Sequence, residues 1–282
     1  MCPSTRPRSA ETPAPGLIDA HCHIDFPRFD AGREQLLAEC AESGIRRIVV
    51  PGTVPEGWEK ILELARIHPM LAPAAGLHPW WADGFGDDSL EQLDRHLTAN
   101  GELVAVGECG LDRKQGPALD QQQGVFEAQI RLARRHDRPL LIHSVGTHDT
   151  VLALLRRIRF TPPFLVHGFS GSLEQAQALV RQGGFVGVSG IITHPRARRV
   201  RRVMAQLPLE ALVLETDAPG LPPHGVARDS NTPLNLPWVL DTLCGLREEP
   251  RAAIVAAIRG NTRRLFMQRL DTEGLQKRGA PV

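Results

Sequence analysis

Short apolar runs alternate along this chain with longer segments in which apolar residues recur at helical spacing. Eight runs rich in Val, Ile, Leu and Ala lie between residues 17 and 218. Alternation of strand-like with helix-like segments is typical of the β-α units that build a parallel sheet. The eight predicted strands span residues 17–23, 47–52, 71–78, 103–111, 140–145, 164–169, 185–190 and 212–218.

The segments between the runs carry helix signals of their own. Ser89 with Gln92 and Ser172 with Gln175 have capping-box spacing, in which each side chain satisfies a free backbone N–H of the first turn. Eight parallel strands that are each followed by a helix close most simply into a (β/α)8 barrel. An open doubly wound sheet usually shows a Gly-x-Gly-x-x-Gly turn after its first strand, where this chain has His-Cys-His. The predicted fold is therefore α/β, a (β/α)8 TIM-type barrel in a single domain of residues 16–270, between tails of residues 1–15 and 271–282.

Five of the eight predicted strands end in side chains that bind metal ions. Barrel enzymes carry their reactive groups at the carboxyl ends of strands, so these side chains are expected to converge in space. Residues i and i+2 of a strand point the same way, so His21 and His23 can reach one ion together. A single His near a strand end is more often a hydrogen-bonded core residue, but five such ends predict a site for two divalent ions. The candidate ligands are His21, His23, Glu108, His143, His167 and Asp217, with Glu215 as a supporting partner.

The motifs at these strand ends resemble the signature blocks of the TatD family of metal-dependent deoxyribonucleases, within the amidohydrolase-like superfamily. They are Leu-Ile-Asp-Ala-His-Cys-His at 17–23, Gly-Leu-His-Pro at 76–79, Gly-Glu-Cys-Gly-Leu-Asp at 107–112, His-Gly-Phe-Ser-Gly at 167–171 and Leu-Glu-Thr-Asp-Ala-Pro at 214–219. The resemblance extends from about Leu17 to Phe266. It implies one metal bound by His21, His23 and Asp217, a second bound by His143 and His167, and contacts from Glu108 to both.

The resemblance also implies roles in the reaction. Bound ions would lower the pKa of a water molecule, and Asp217 and Glu108 would be catalytic, Asp217 as general base. His78 and Arg113 are the candidates for contact with the substrate. The alternative for His78 is a supporting hydrogen bond beside the site, and the alternative for Arg113 is a solvated position on an exposed loop. Arg113 stands where the family commonly has Tyr, and Val145 stands where it often has Arg, so a potential phosphate-binding guanidinium is missing there.

These features favour a deoxyribonuclease that hydrolyses DNA with two divalent ions. Ligand softness favours Zn or Mn, whereas the family analogy allows Mg. One alternative is an amidohydrolase-like esterase, amidase or deacylase, including one that deacylates aminoacyl-tRNA, and Val145 modestly favours it. A second alternative is a module that binds metal or nucleic acid without turnover, against which the complete ligand set argues.

Composition narrows the partners and the compartment. The net charge of +1 leaves no general attraction for polyanions, so binding of DNA must depend on a local site. A basic run at 195–202 is a candidate for such a site, although a solvated helix face is the commoner explanation. The five scattered cysteines favour a reducing cytoplasm, and we find neither a membrane span nor a signal peptide. We expect a cytoplasmic monomer.

Overall fold

The computed structural model describes residues 16–267 and 269–270. Its eight strands form one parallel sheet in which each strand pairs with the next along the chain. The strands are β1 (Leu17–Asp19), β2 (Ile45–Val50), β3 (Leu71–Ala75), β4 (Ala105–Asp112), β5 (Leu140–Val145), β6 (Phe164–Val166), β7 (Gly184–Val188) and β8 (Leu212–Leu214). Every predicted strand is present, and the TIM-type barrel is confirmed. The predicted tails, 1–15 and 271–282, lie outside the described residues.

The first and last strands are joined at the point where chemistry is expected. The backbone N–H of Ala20 donates to the carbonyl of Leu214 at 2.9 Å, and the N–H of Asp217 donates to the carbonyl of His21 at 2.8 Å. These two bonds bring the ends of β1 and β8 together. Closure of the barrel therefore places His21 beside Asp217, although 195 intervening residues separate them in sequence.

Helices cover the outside of the sheet. They are α1 (Arg33–Glu42), α2 (Pro55–Ile67), α3 (Asp87–Ala99), α4 (Leu119–Arg135), α5 (His148–Arg157), α6 (Leu173–Arg181), α7 (Arg198–Gln206), α8 (Leu236–Leu246) and α9 (Arg251–Leu265). Ser172 and Gln175 form the predicted capping box at the start of α6. The prediction for Ser89 was wrong, because α3 begins two residues earlier at Asp87, where acidic residues favour the positive end of the helix dipole.

Alternation along the strands divides the core into two layers. Leu141, Leu165 and Val213 belong to a small cluster inside the barrel, whereas their strand neighbours pack between the sheet and the helices. Because side chains alternate along a strand, the inward positions continue two residues later to His143 and His167. The inside of the barrel is therefore apolar along the strands and polar at their carboxyl ends. Across the described residues, no helix combines the length and the apolar character that a membrane crossing requires.

Candidate metal centre

The carboxylate of Glu108 lies at the centre of a cluster of imidazoles at the barrel mouth. Its Oε2 is 3.2 Å from His21 Nε2 and 3.1 Å from His23 Nε2. Its Oε1 is 3.0 Å from His143 Nδ1 and 2.7 Å from His167 Nε2. Glu108 is 2% exposed, so water screens these contacts little. Imidazoles from three strand ends therefore meet on the one carboxylate that β4 supplies.

Asp217 completes the group of six predicted ligands. Its Oδ1 is 3.5 Å from His21 Nε2, 3.7 Å from His23 Nε2 and 4.0 Å from His167 Nδ1. The backbone of Asp217 has φ = 53°, a left-handed conformation that is uncommon for a residue other than glycine. The bond from its N–H to His21 helps to hold that conformation and aims the carboxylate at the histidines.

His78 joins the same cluster. Its Nε2 is 3.1 Å from Glu108 Oε1, and its ring lies 4.7 Å from that of His143. Its Nδ1 accepts a hydrogen bond from the backbone N–H of Trp80, so in the neutral ring the proton is on Nε2 and points at Glu108. His78 is 4% exposed, and its predicted contact with substrate stays a prediction.

The donor atoms are arranged in a way that suits binding of divalent cations better than hydrogen bonds between the side chains themselves. Five imidazole nitrogens face Glu108, and Nε2 of His21 is only 3.3 Å from Nε2 of His23. Two lone pairs at that distance repel unless a proton or a cation lies between them. Three overlapping groups of donors are close enough to hold an ion: His21 with His23 and Glu108, His21 with His167 and Asp217, and His78 with Glu108 and His143. The cluster is thus able to hold metal.

Burial and mutual contacts set the protonation states. Burial and the neighbouring His167 hold the pKa of His21 well below its usual value, so this ring is neutral, which is the form that binds metal. Burial alone would raise the pKa of Glu108, but the surrounding imidazoles lower it well below the usual range. Burial raises the pKa of Asp217. At His23 and His143 burial is outweighed by bonds to carboxylates, which raise each pKa to about 9, so a bound metal would displace a proton there.

Asp112, to which the sequence analysis gave no role, anchors the far side of His143. Its Oδ2 accepts from His143 Nε2 at 2.9 Å and from Trp80 Nε1 at 2.8 Å. Its Oδ1 accepts from the backbone N–H groups of Lys114 and Gln115 at 2.7 and 3.1 Å. The side chain therefore orients the imidazole so that Nδ1 faces Glu108. Its position four residues after Glu108 on β4 was the available signal, because i and i+4 share a strand face.

Asp19 supports the other side of the cluster and was also missed. Its Oδ1 accepts from the backbone N–H groups of Thr216 and His21 at 2.9 and 3.3 Å, and its Oδ2 accepts from Thr216 Oγ1 at 2.5 Å. The contacts join β1 to the segment that carries Asp217. An acidic residue inside an apolar strand was the signal for such a role.

Glu215 is fully buried behind the cluster. Its Oε1 accepts from the backbone N–H of Gly168 at 2.6 Å, next to His167, and burial raises its pKa well above the usual value. Gly187 on β7 leaves room for it, since a Cβ at that glycine would lie 2.3 Å from Oε1. Glu215 thus positions the chain beside His167, in agreement with the supporting role expected for it.

An open cavity of about 800 Å³ leads to this cluster. Its walls include Phe26, Trp80, Trp81, Lys114, Val145 and Arg228. Arg113 is exposed outside these walls, where its Nε donates to the carbonyl of Gly146 at 3.0 Å, and its substrate contact stays a prediction. In the basic run, Arg199 donates to the carbonyl of Ser170 at 2.8 Å, and Arg198 and Arg202 are exposed on α7.

Comparison with known proteins places this architecture in a family. The family described as TatD related DNase matches residues 18–267. The chain belongs to this family. It is accordingly a metal-dependent hydrolase of the TatD type, which argues against a module without turnover.

Similar proteins share both sequence and structure. An Escherichia coli protein called an uncharacterized metal-dependent hydrolase, YjjV, is 43% identical over 89% of this chain and 97% of its own length. The crystal structure of that TatD homologue superposes with a TM-score of 0.86, at 42% identity over 89% of this chain and 98% of the other. A protein of Cronobacter sakazakii called a 3'-5' ssDNA/RNA exonuclease, TatD, is 31% identical over 89% of this chain and 98% of its own length.

Proposed function

We propose that this TatD-family hydrolase cleaves phosphodiester bonds of DNA with two divalent metal ions. The observation that carries the proposal is the position of Glu108, which is shared by imidazoles on both of its oxygens at the floor of an open cavity. One ion would be held by His21, His23, Asp217 and Glu108, and the second by Glu108, His143 and His167. The relative named as an exonuclease of single-stranded DNA and RNA supports the substrate class.

The mixture of imidazole and carboxylate donors indicates which divalent metal the cluster favours. Four imidazoles with two carboxylates suit Zn or Mn, and Mg remains the alternative from the family analogy because it prefers oxygen ligands. His78 is a further imidazole within reach of Glu108. We therefore expect Zn or Mn in the purified protein, as measured by elemental analysis.

Divalent ions held by these residues would supply a water of lowered pKa and would draw charge from the scissile phosphate. Asp217 is the carboxylate that can take a proton from that water, because its side chain is 15% exposed to the cavity whereas that of Glu108 is 3% exposed. Glu108 stays ionised and fixes the histidines around it. Lys114 and Arg228 on the cavity walls carry positive charge for the phosphates of a substrate.

Replacement of Asp217 tests the assignment. With single-stranded DNA as substrate and Mn, Zn or Mg added after chelation, Asp217→Asn should lower kcat about 100-fold or more, which is the contribution of a general base. Asp94→Asn is the matched control, because Asp94 is a surface partner of His136. Unchanged cleavage by Asp217→Asn would refute the proposed role, and absence of cleavage by the wild type with every metal would refute the nuclease.

A second candidate reaction is the hydrolysis of esters or amides, including aminoacyl-tRNA. The observation in its favour is Val145, an apolar residue on the cavity wall where the family often has a phosphate-binding Arg. A panel of carboxylic esters, amides and phosphodiesters separates the two reactions. Turnover of esters without turnover of phosphodiesters would establish the second.

Monomeric state and cytoplasmic location stay predictions. In the described part of the chain Cys22, Cys40, Cys109 and Cys244 are free thiols, as a reducing compartment requires. Light scattering at several protein concentrations tests the monomer, and cell fractionation tests the location.

A further inference from the structure

Two tryptophans at the cavity wall are unusually exposed. Among the described residues, three large hydrophobic side chains are exposed: Ile67 (67%), Trp80 (39%) and Trp81 (44%). Ile67 ends α2, at the opposite end of the barrel, whereas both tryptophans line the cavity. Exposed aromatic surface is concentrated where a substrate would enter, and such surface commonly marks a binding site.

The tryptophans are direct neighbours of the metal centre. The ring of Trp80 lies 4.9 Å from that of His78 and 5.9 Å from that of His143, and the ring of Trp81 lies 5.4 Å from that of His78. Both histidines contact Glu108. A flat group that rests on these indoles would therefore lie next to two of the histidines that surround Glu108.

Local structure holds the pair in place before any ligand binds. The rings belong to a short 3-10 segment, Pro79–Gly84, whose first turn is capped by His78. Trp80 Nε1 donates to Asp112 Oδ2 at 2.8 Å, and the two indoles meet at 5.9 Å with an interplanar angle of 62°. Trp81 departs from helical geometry at φ = −116° and ψ = 20°. Trp80 is thus anchored, and Trp81 is set at an angle to it.

The other walls of the cavity suit a polyanion with flat apolar substituents. Lys114 and Arg228 supply positive charge at the walls, and Asp229 adds one exposed negative charge. Phe26 lines the cavity on the side of His23, where the two rings stack at 4.7 Å. Cations next to aromatic rings are the combination by which proteins hold single-stranded nucleic acid, because every base has a π-face that stacks without regard to sequence.

We propose that Trp81, supported by Trp80, stacks on the nucleobase next to the scissile phosphodiester and so selects unpaired strands. The proposal rests on the proposed nuclease function and adds the subsite that recognises the base. A base inside a duplex has both faces covered by its neighbours, so only an unpaired or terminal base can offer a free face to the indole. The sugar that joins base to phosphate spans the short distance from the indoles to the metal centre.

The test compares Trp81→Ala with wild type on two substrates. One is a single-stranded oligothymidylate, and the other is an oligomer of equal length in which tetrahydrofuran replaces each base-bearing sugar. Loss of one stacking partner should raise KM for the oligothymidylate about fivefold to a hundredfold, with a smaller change in kcat. The abasic oligomer should be cleaved equally by both proteins. Trp81→Phe, which keeps a ring, should restore most of the affinity.

A binding measurement and a distant variant complete the design. Anisotropy of a labelled oligothymidylate should show Kd rising with KM for Trp81→Ala, and Ile67→Ala, which removes an exposed side chain elsewhere, should match wild type. If wild type cleaves both substrates and Trp81→Ala is unchanged, or is slowed equally on both, the aromatic subsite is refuted while the nuclease stands. If wild type cleaves neither substrate with any metal, the proposed function itself fails.

Discussion

Replacement of Asp112 by Asn tests whether Asp112 orients the metal-binding imidazole of His143 without binding the metal itself. Asp112 is placed to touch His143 and not the metal, because its Oδ2 accepts from His143 Nε2 while Nδ1 of that ring faces Glu108. Asn keeps the volume and one acceptor oxygen, which can still bond the backbone N–H groups of Lys114 and Gln115. Its NH₂ group would then face two donors, on His143 and Trp80.

The structure sets the expected magnitude. Loss of a carboxylate behind a metal-binding imidazole typically costs about 10- to 100-fold in metal affinity or activity. Two donors lose their acceptor at a position that is 3% exposed, so we expect the upper part of that range. Tenfold corresponds to about 1.4 kcal/mol, so the upper limit is about 2.8 kcal/mol.

Competition with a chromogenic chelator measures the metal affinity, and kcat/KM on the active substrate measures the consequence. Asp94→Asn is a matched control, because Asp94 also accepts from an imidazole, His136 at 2.6 Å, but at a surface position. The control should change metal affinity by less than about twofold, since surface pairs contribute little. Metal affinity that is unchanged in Asp112→Asn, with unfolding also unchanged, would refute the orienting role of Asp112.

Two further predictions concern stability. His148 is buried, and burial lowers its pKa to about 4, below the value of about 6.5 in the unfolded chain. The free energy of unfolding should therefore be about 3 kcal/mol greater above pH 6.5 than below about pH 4, where the buried ring must take up a proton. In urea titrations His148→Gln should flatten the dependence of unfolding free energy on pH across that interval, and an unaltered slope would contradict the assignment. Gly187→Ala should destabilise by about 1–3 kcal/mol, because its Cβ would lie 2.3 Å from Glu215 Oε1. Gly57→Ala on α2, where a Cβ meets nothing within 4 Å, should instead stabilise by about 0.5–1 kcal/mol, and equal effects at the two glycines would refute the steric argument.

The sequence alone determined the architecture and the inward positions at the strand ends. Strand periodicity is local, so an apolar run that ends in His143 or His167 directs the imidazole to the same side as the buried residue two positions before it. Parallel order then brings all such ends to one mouth. The pair His21 and His23 was predictable for a similar reason, because both lie immediately beyond a single strand. The first residue of a helix was harder to predict than a strand. At α3 several polar residues precede Ser89, and each of them could cap the first turn.

Only the tertiary structure decided how the supporting residues meet. Asp112 is the last residue of β4 and Trp80 follows β3, and their contact depends on how the segment after β3 packs against the end of β4. The same packing brings His78 onto Glu108 and leaves Arg113 outside the cavity, with Lys114 on its wall. Loop conformations depend on partners distant in sequence, whereas alternation along a strand depends on adjacent residues, so the pattern of the chain predicted the cluster but not its surroundings.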